Sequence, residues 1–318
     1  MNMIKSPVTV LAILASCAFL IASCGSDEEG GSSEPALSVT ASFYPLYEAA
    51  NAIGGEKAEV VNLTPTGGEP HDLELTPQTT AEVEDADLNL FLGQNFQPVV
   101  EKAVSQSGGT SVDLLERIEL RPADVGIPGV RGEVDGEKLD GGFDPHVWVD
   151  PAGFLEIIDG ITEAFVAADP ENADTWRANA RNYREQIADL DTDFRNTLAN
   201  CDTRTLVTSH AAFGYLADRY GLIQAPIAGL SPEEEPDPQS LAAVADRARE
   251  DGVKTIFFET LAPRKLADTV AQEIGASSDL LDPVEGLDAE GQSAGKTYES
   301  IQHDNLNRLK KGLGCTTN

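Results

Sequence analysis

Past residue 36 the chain alternates between two periodicities. Short runs dense in apolar and β-branched residues, at 37–43, 59–63, 88–92 and 111–115, read as strands. Helical stretches lie between them at 45–53 and 77–86. The second has Pro77 in its first turn, where a missing N–H costs nothing. The rhythm breaks over 119–143, where six glycines and two prolines mixed with charges predict a long surface loop. Helices follow at 151–168 and 174–200. In the second, Trp176, Tyr183, Ile187, Leu190, Phe194 and Leu198 fall at spacings of 7, 4, 3, 4 and 4, a single apolar stripe on an otherwise charged helix. After Cys201 the alternation restarts, with strands at 206–208, 224–227, 253–258 and 279–281. Its helices fall at 211–220, 238–250, 265–274 and 292–313. Strands and helices in this order predict an α/β chain of two β/α domains with parallel-rich sheets, joined by one long rigid helix. The boundaries expected are 37–170 for the first lobe, 171–201 for the connecting helix and 202–318 for the second lobe.

The amino-terminal segment follows a different pattern. Lys5 is the only charge before Asp27, and an apolar run from Pro7 to Ala22 is short for a membrane span but suits the core of a signal peptide. It ends in LIASC, which looks like a bacterial lipobox. Residues 1–23 are therefore expected to be removed as a lipoprotein signal peptide, leaving the Cys24 thiol to carry the lipid (palmitate among its acyl chains). Residues 24–36 are polar, acidic and rich in Gly and Ser. Past Cys24, the 12-residue coil 25–36 spans on the order of 20 Å and tethers a folded body to the cell membrane.

Composition adds 54 acidic residues against 22 basic ones, a formal net charge of −32. Nothing in that balance could neutralise a phosphate backbone, so nucleic-acid binding is excluded as a function. A cationic ligand fits the sign, although an acidic surface also serves simple solubility. Of four cysteines, Cys17 leaves with the signal and Cys24 is lipidated. In an exported, oxidising setting Cys201 and Cys315 either pair as a disulfide, worth about 4–5 kcal/mol in the chain-entropy model, or stay as two buried thiols.

Candidate chemistry rests on rare histidines. The chain has four. His71 lies in a Gly/Pro-rich loop after a strand, His146 just before a helix, and His210 between a strand and a helix. Asp282 directly follows another strand. Ligands in open α/β sheets bind outside the carboxyl ends of strands. Three imidazoles and one carboxylate fit a tetrahedral first-row metal site. Separations of 75, 64 and 72 residues make no local motif, and spacing alone is a weak signal. His303, among polar residues of the last helix, reads as a surface histidine.

The segments ASFYPLY, GGEPHDLELTP, DPHVWVDP, SHAAFGYLADRYGL, GLSPEEEPDP and LLDPVEGL occur in that order. Together they closely resemble the zinc-binding lipoproteins of bacterial high-affinity zinc ABC transporters, the cluster A-I solute-binding family, over residues 38–313. The resemblance implies two β/α domains joined by a long helix, with the metal in the cleft between them. It also implies a Zn²⁺ ligand set of His71, His146, His210 and Asp282. Glu69 becomes a possible alternate ligand, and Glu259 a group that supports a ligand by hydrogen bonding. Manganese receptors of the same family resemble the zinc ones but carry Glu where this chain has His210. Since imidazole suits zinc and carboxylate suits manganese, His210 favours zinc over a manganese-receptor alternative. The His-rich loop common in zinc members is replaced here by GEVDGEKLDGGFD, which has no histidine.

The resulting expectation is an extracytoplasmic, lipid-anchored and monomeric receptor, not an enzyme, that passes Zn²⁺ to an ABC permease. A zinc hydrolase would use the same histidines with Glu69 or Glu259 as general base, but no HExxH-type motif supports it. A surface adhesin would call for an exposed aromatic cluster, which the sequence does not offer.

Overall fold

Two four-stranded parallel sheets carry the fold in this computed structural model, which describes residues 36–123, 142–233 and 235–316. The expected signal peptide, Cys24, nearly all of the tether and most of the 119–143 loop lie outside the described residues. In the first sheet β1 (Leu37–Ala41) lies between β2 (Ala58–Asn62) and β3 (Leu88–Phe91), with β4 (Thr110–Asp113) on the far edge. The second repeats the plan: β5 (Thr205–Thr208) lies between β6 (Ile223–Pro226) and β7 (Thr255–Phe258), with β8 (Ser277–Leu280) outside. Every pairing is parallel. In each sheet the strand order reverses beside the first strand, so a crevice opens at the carboxyl ends there.

Helices cross between the strands: α1 (Tyr44–Gly54), α2 (Pro77–Asp85), α3 (Pro98–Val104) and α4 (Pro151–Ala168) in the first half. The long α5 (Ala173–Thr197) leads to α6 (Gly214–Tyr220), α7 (Pro238–Glu250), α8 (Lys265–Ile274), α9 (Ala289–Ser293) and α10 (Tyr298–Gly312). Helix α3 has no counterpart in the sequence reading. It starts on Pro98, and it turns Val100 and Val104 into a small cluster with Leu63, Leu73 and Val83. The single helix expected over 292–313 is broken in two. Gly295 takes a positive φ of 65°, and Thr297 restarts the helix with a capping box to Ser300.

Helix α5 buries Trp176, Tyr183, Ile187, Leu190 and Phe194, the stripe its spacing predicted. That face packs on α1 and α4, and α10 also rests on it. One core cluster consequently runs from Val39 and Leu46 under the first sheet to Phe213, Tyr298 and Leu309 beside the second. Buried hydrogen bonds cross between the halves as well. Trp148 Nε1 donates to Pro283 O at 2.9 Å, and Tyr298 Oη donates to Trp148 O at 2.6 Å. Gln302 Nε2 donates to Val149 O at 2.9 Å. Cys201 and Cys315 form a disulfide across 114 residues of sequence.

Candidate metal centre

Each candidate ligand sits where a strand or turn delivers it to the crevice. His71 follows β2 on a loop whose Thr64 Oγ1 donates to Ser42 O at 2.7 Å. Its ring meets the edge of Phe96 at 4.8 Å between centroids. His146 enters a single 3₁₀ turn (Val147–Val149) ahead of α4, whose start Asp150 caps by accepting from Ala152 N and Gly153 N. His210 lies two residues past β5, and Glu259 lies one past β7.

Two of the imidazoles are oriented by the same device. Asp144 Oδ1 accepts from His146 N at 2.9 Å and pairs with His146 Nδ1 at 2.8 Å. The two Glu259 oxygens repeat this at His210, with N at 3.0 Å and Nδ1 at 2.6 Å. A carboxylate on Nδ1 keeps the proton there and leaves Nε2 as a bare lone pair aimed inward. Asp144 is itself held by Arg121 Nη1 at 3.1 Å, and Tyr215 Oη donates to its backbone oxygen at 2.8 Å. Gly214 leaves room at this point, because a Cβ would displace the Arg121 guanidinium and crowd the Asp144 carboxylate.

The fourth member of the cluster is Glu285. Its Oε1 lies 3.6 Å from His71 Nε2, 3.6 Å from His146 Nε2 and 3.3 Å from His210 Nε2. His71 Nε2 and His146 Nε2 are 3.4 Å apart. Four donors at about 2.0–2.1 Å from a central zinc, set tetrahedrally, stand about 3.3–3.4 Å from each other. These four spacings lie close to that edge length, and all four donor atoms fall within 4.8 Å of one another. His210 Nε2 and Glu285 Oε1 are buried without a hydrogen-bond partner among the described residues. Buried lone pairs facing one another are costly unless a cation or proton sits between them.

Electrostatics follow from this crowding. Burial alone would lower the His210 pKa, but the carboxylates of Glu259 and Glu285 outweigh it and hold the value well above the ordinary one. His71 is lowered, chiefly by burial, against the pull of Glu285. Burial would raise Glu285, yet His210 and His71 bring it below the usual carboxylate range.

The structure brings together three of the four residues proposed as ligands from the sequence and replaces the fourth. Asp282 is not among the converging donors, and Glu285 stands in the place given to it. The reason is local. Asp282 Oδ1 accepts from Val284 N at 2.7 Å, and Oδ2 accepts from Thr260 Oγ1, so the carboxylate is engaged by its own loop and by the loop after β7. Burial raises its pKa to about 6. Glu69 is outside the cluster too: Oε1 accepts from His71 N at 3.2 Å, while burial, then Glu285, pushes its pKa up to about 8. His303 is exposed on α10, 3.7 Å from Glu299. Glu285 lay in the same LLDPVEGL segment as Asp282. The available signal was an acid between a buried Val and a Gly in a loop at a strand's carboxyl end.

Comparison with known proteins bears on this arrangement. The family model described as the periplasmic zinc-uptake complex component A, ZnuA, matches residues 39–312. The high-affinity zinc uptake system protein ZnuA of Bacillus subtilis is 37% identical over 314 residues, covering 95% of this chain and 97% of its own. The zinc-binding lipoprotein AdcA of Streptococcus pneumoniae is 32% identical over 308 residues, 95% of this chain and 60% of its own. The crystal structure of the Zn(II)-bound ZnuA-like domain of that AdcA superposes with a TM-score of 0.72 at 32% identity, covering 87% of this chain and 99% of the domain.

Proposed function

We propose, since this chain belongs to the ZnuA family of zinc-uptake components, that it captures Zn²⁺ between His71, His146, His210 and Glu285 and delivers it to an ABC permease. The observation that carries this reading is the convergence of three imidazoles and one carboxylate within 4.8 Å of one another, with the three Nε2 atoms 3.3–3.6 Å from Glu285 Oε1. Four protein donors close the coordination sphere, the pattern of metal holding, whereas a catalytic zinc keeps one position open for water. The metal is cargo here. The Cys24 lipid anchor would keep the receptor beside its permease on the outer face of the cell membrane, with one chain as the working unit.

Two donors come from segments around the first sheet and two from loops of the second, so a bound ion ties the halves together. The shared core and the bonds from Trp148, Tyr298 and Gln302 resist wide opening behind the site. Metal exchange therefore proceeds through the site's own loops.

Three imidazoles also set the selectivity. Nitrogen-rich sites suit zinc, and oxygen-rich ones suit manganese. The test is to purify the soluble body without chelator, quantify its bound metals, and compete Zn²⁺ against Mn²⁺ by calorimetry. Zinc should be the metal found and should displace manganese. Manganese winning would overturn the reading.

Affinity should fall in acid. In the metal-free protein the raised pKa of His210 keeps a proton on the imidazole, and zinc must displace it. A proton competitor with a pKa above about 6.5 makes the logarithm of the association constant rise by about one per pH unit through the range below that pKa. Calorimetry in buffers of different ionisation enthalpy should show about one proton or more released per zinc near neutral pH. A flat profile between pH 7.5 and 5 would contradict the three-histidine site.

A further inference from the structure

Asp282 is half-buried at the site's edge and yet gives no atom to the cluster. We infer that Asp282 is a positioning residue, its carboxylate holding Val284 in the left-handed backbone conformation that aims Glu285 at the three imidazoles. The inference rests on the metal-capture reading above and adds a role that the ligand set does not contain.

Val284 has a φ of 59°, a region that a β-branched side chain rarely adopts, and it is fully buried. A single residue in that conformation reverses the local chain direction, so Glu285 turns back toward the crevice. Such a conformation persists only where its surroundings over-determine it. The bonds on the page do so. Val284 N donates to Asp282 Oδ1 at 2.7 Å, closing a turn across Pro283. The other oxygen of Asp282 is fixed by Thr260 Oγ1 beyond the end of β7. The Asp282 backbone is gripped on both sides by one amide: its N donates to Asn305 Oδ1 at 2.9 Å, and its O accepts from Asn305 Nδ2 at 2.7 Å. Pro283 O accepts from Trp148, two residues from His146, and Leu287 O accepts from Gly67 N at 2.8 Å on the loop of His71. Among the described residues only the Asp282 carboxylate bonds the Val284 N–H. Without it, Val284 can relax to negative φ and Glu285 swings out of the ligand set.

The test compares Zn²⁺ affinity and Co²⁺ absorption in variants of the soluble body. Asp282→Ala should weaken zinc binding about 10–100-fold, the range for residues that orient a metal ligand. Asp282→Asn keeps an acceptor for Val284 N and should stay within about fivefold of the parent, because a neutral amide can replace a positioning carboxylate but not a ligating one. Glu285→Gln should lose affinity at least as far as Asp282→Ala. Four-coordinate Co²⁺ absorbs visible light far more strongly than five- or six-coordinate Co²⁺. The absorption should therefore weaken alike in Asp282→Ala and Glu285→Gln, as two or more waters enter the space the carboxylate leaves and raise the coordination number, and it should persist in Asp282→Asn. A role confined to stability would lower the melting temperature and leave that spectrum unchanged, which overturns the proposal. Equal losses in Asp282→Asn and Asp282→Ala would make Asp282 a ligand and overturn it too. If Asp282→Ala fails to fold, Thr260→Val loosens the same carboxylate, and an unchanged cobalt spectrum there counts against the proposal. Zinc lost in His210→Ala but kept in Glu285→Gln overturns the positioning role and leaves metal capture standing. Zinc kept in both overturns both.

Discussion

His210→Ala should weaken zinc binding by well over about a hundredfold, more than the ~10–100-fold that loss of an orienting partner costs, because it removes a coordinating atom outright. His210 Nε2 stands closest to Glu285 Oε1, at 3.3 Å, and its lone pair has no partner other than a metal or a proton. Alanine leaves a hole at one vertex of the tetrahedron that only water can fill, in a place otherwise closed to solvent. The Glu259 carboxylate would also be left buried with the 210 backbone N–H as its remaining partner there, so some stability goes with the affinity. Melting the metal-free protein separates the two effects. His303→Ala supplies the control: it removes an exposed imidazole on α10 and should change neither affinity nor the proton count on binding. A loss of less than tenfold at His210, or equal losses at His210 and His303, would break the assignment.

The pairing of each buried histidine with a carboxylate explains why a receptor that carries cargo has so much acid at its site. Asp144 and Glu259 fix tautomers, Glu285 supplies charge to the ion, and Asp282 engages the loop. Without metal, the proton held on His210 offsets part of that negative charge. Zinc and proton thus compete for the same centre, and the pH dependence comes from the geometry that creates the site.

The three histidines were legible because the residue is rare here and each falls beside a strand end or helix start, where an α/β sheet presents its ligands. The two sheets and the stripe on α5 were legible for a similar reason: periodicity encodes which face is buried. Choosing between Asp282 and Glu285 was beyond pattern. Both are acids in one loop, and the decision rests on a positive φ at a valine, where sequence preference points the other way. Helix α3 was hidden by its shortness, since seven residues with only Val100 and Val104 buried give little periodic signal. The division between α9 and α10 was written in Gly295 and Thr297, a stop and a start signal that an amphipathic reading of 292–313 passes over.

Removing the Cys201–Cys315 disulfide should lower the unfolding free energy of the metal-free protein by about 4–5 kcal/mol, the chain-entropy value for a loop of this length. The bridge spans 114 residues, enclosing the whole second sheet and its helices. It fastens the chain just after α5 to the chain just after α10. Neighbouring backbone bonds hold the same seam: Asp202 N to Gly314 O at 3.3 Å, Thr203 N to Leu313 O at 3.2 Å and Thr316 N to Asn200 O at 2.9 Å. These bonds keep the ends together in the folded state whether or not sulfur joins them, so the loss falls on the unfolded ensemble. For a chain of this size about 4–5 kcal/mol corresponds to roughly 8–20 °C in melting temperature. The Cys201→Ser/Cys315→Ser double variant, unfolded in urea with chelator present, is the measurement, since bound zinc would mask the difference by mass action. Zinc affinity should change little, because the bridge precedes the amino end of β5 and His210 follows its carboxyl end. A stability loss below about 1 kcal/mol would mean that the backbone bonds of the seam already restrain the reduced, unfolded chain, and that the disulfide adds almost nothing to the second lobe.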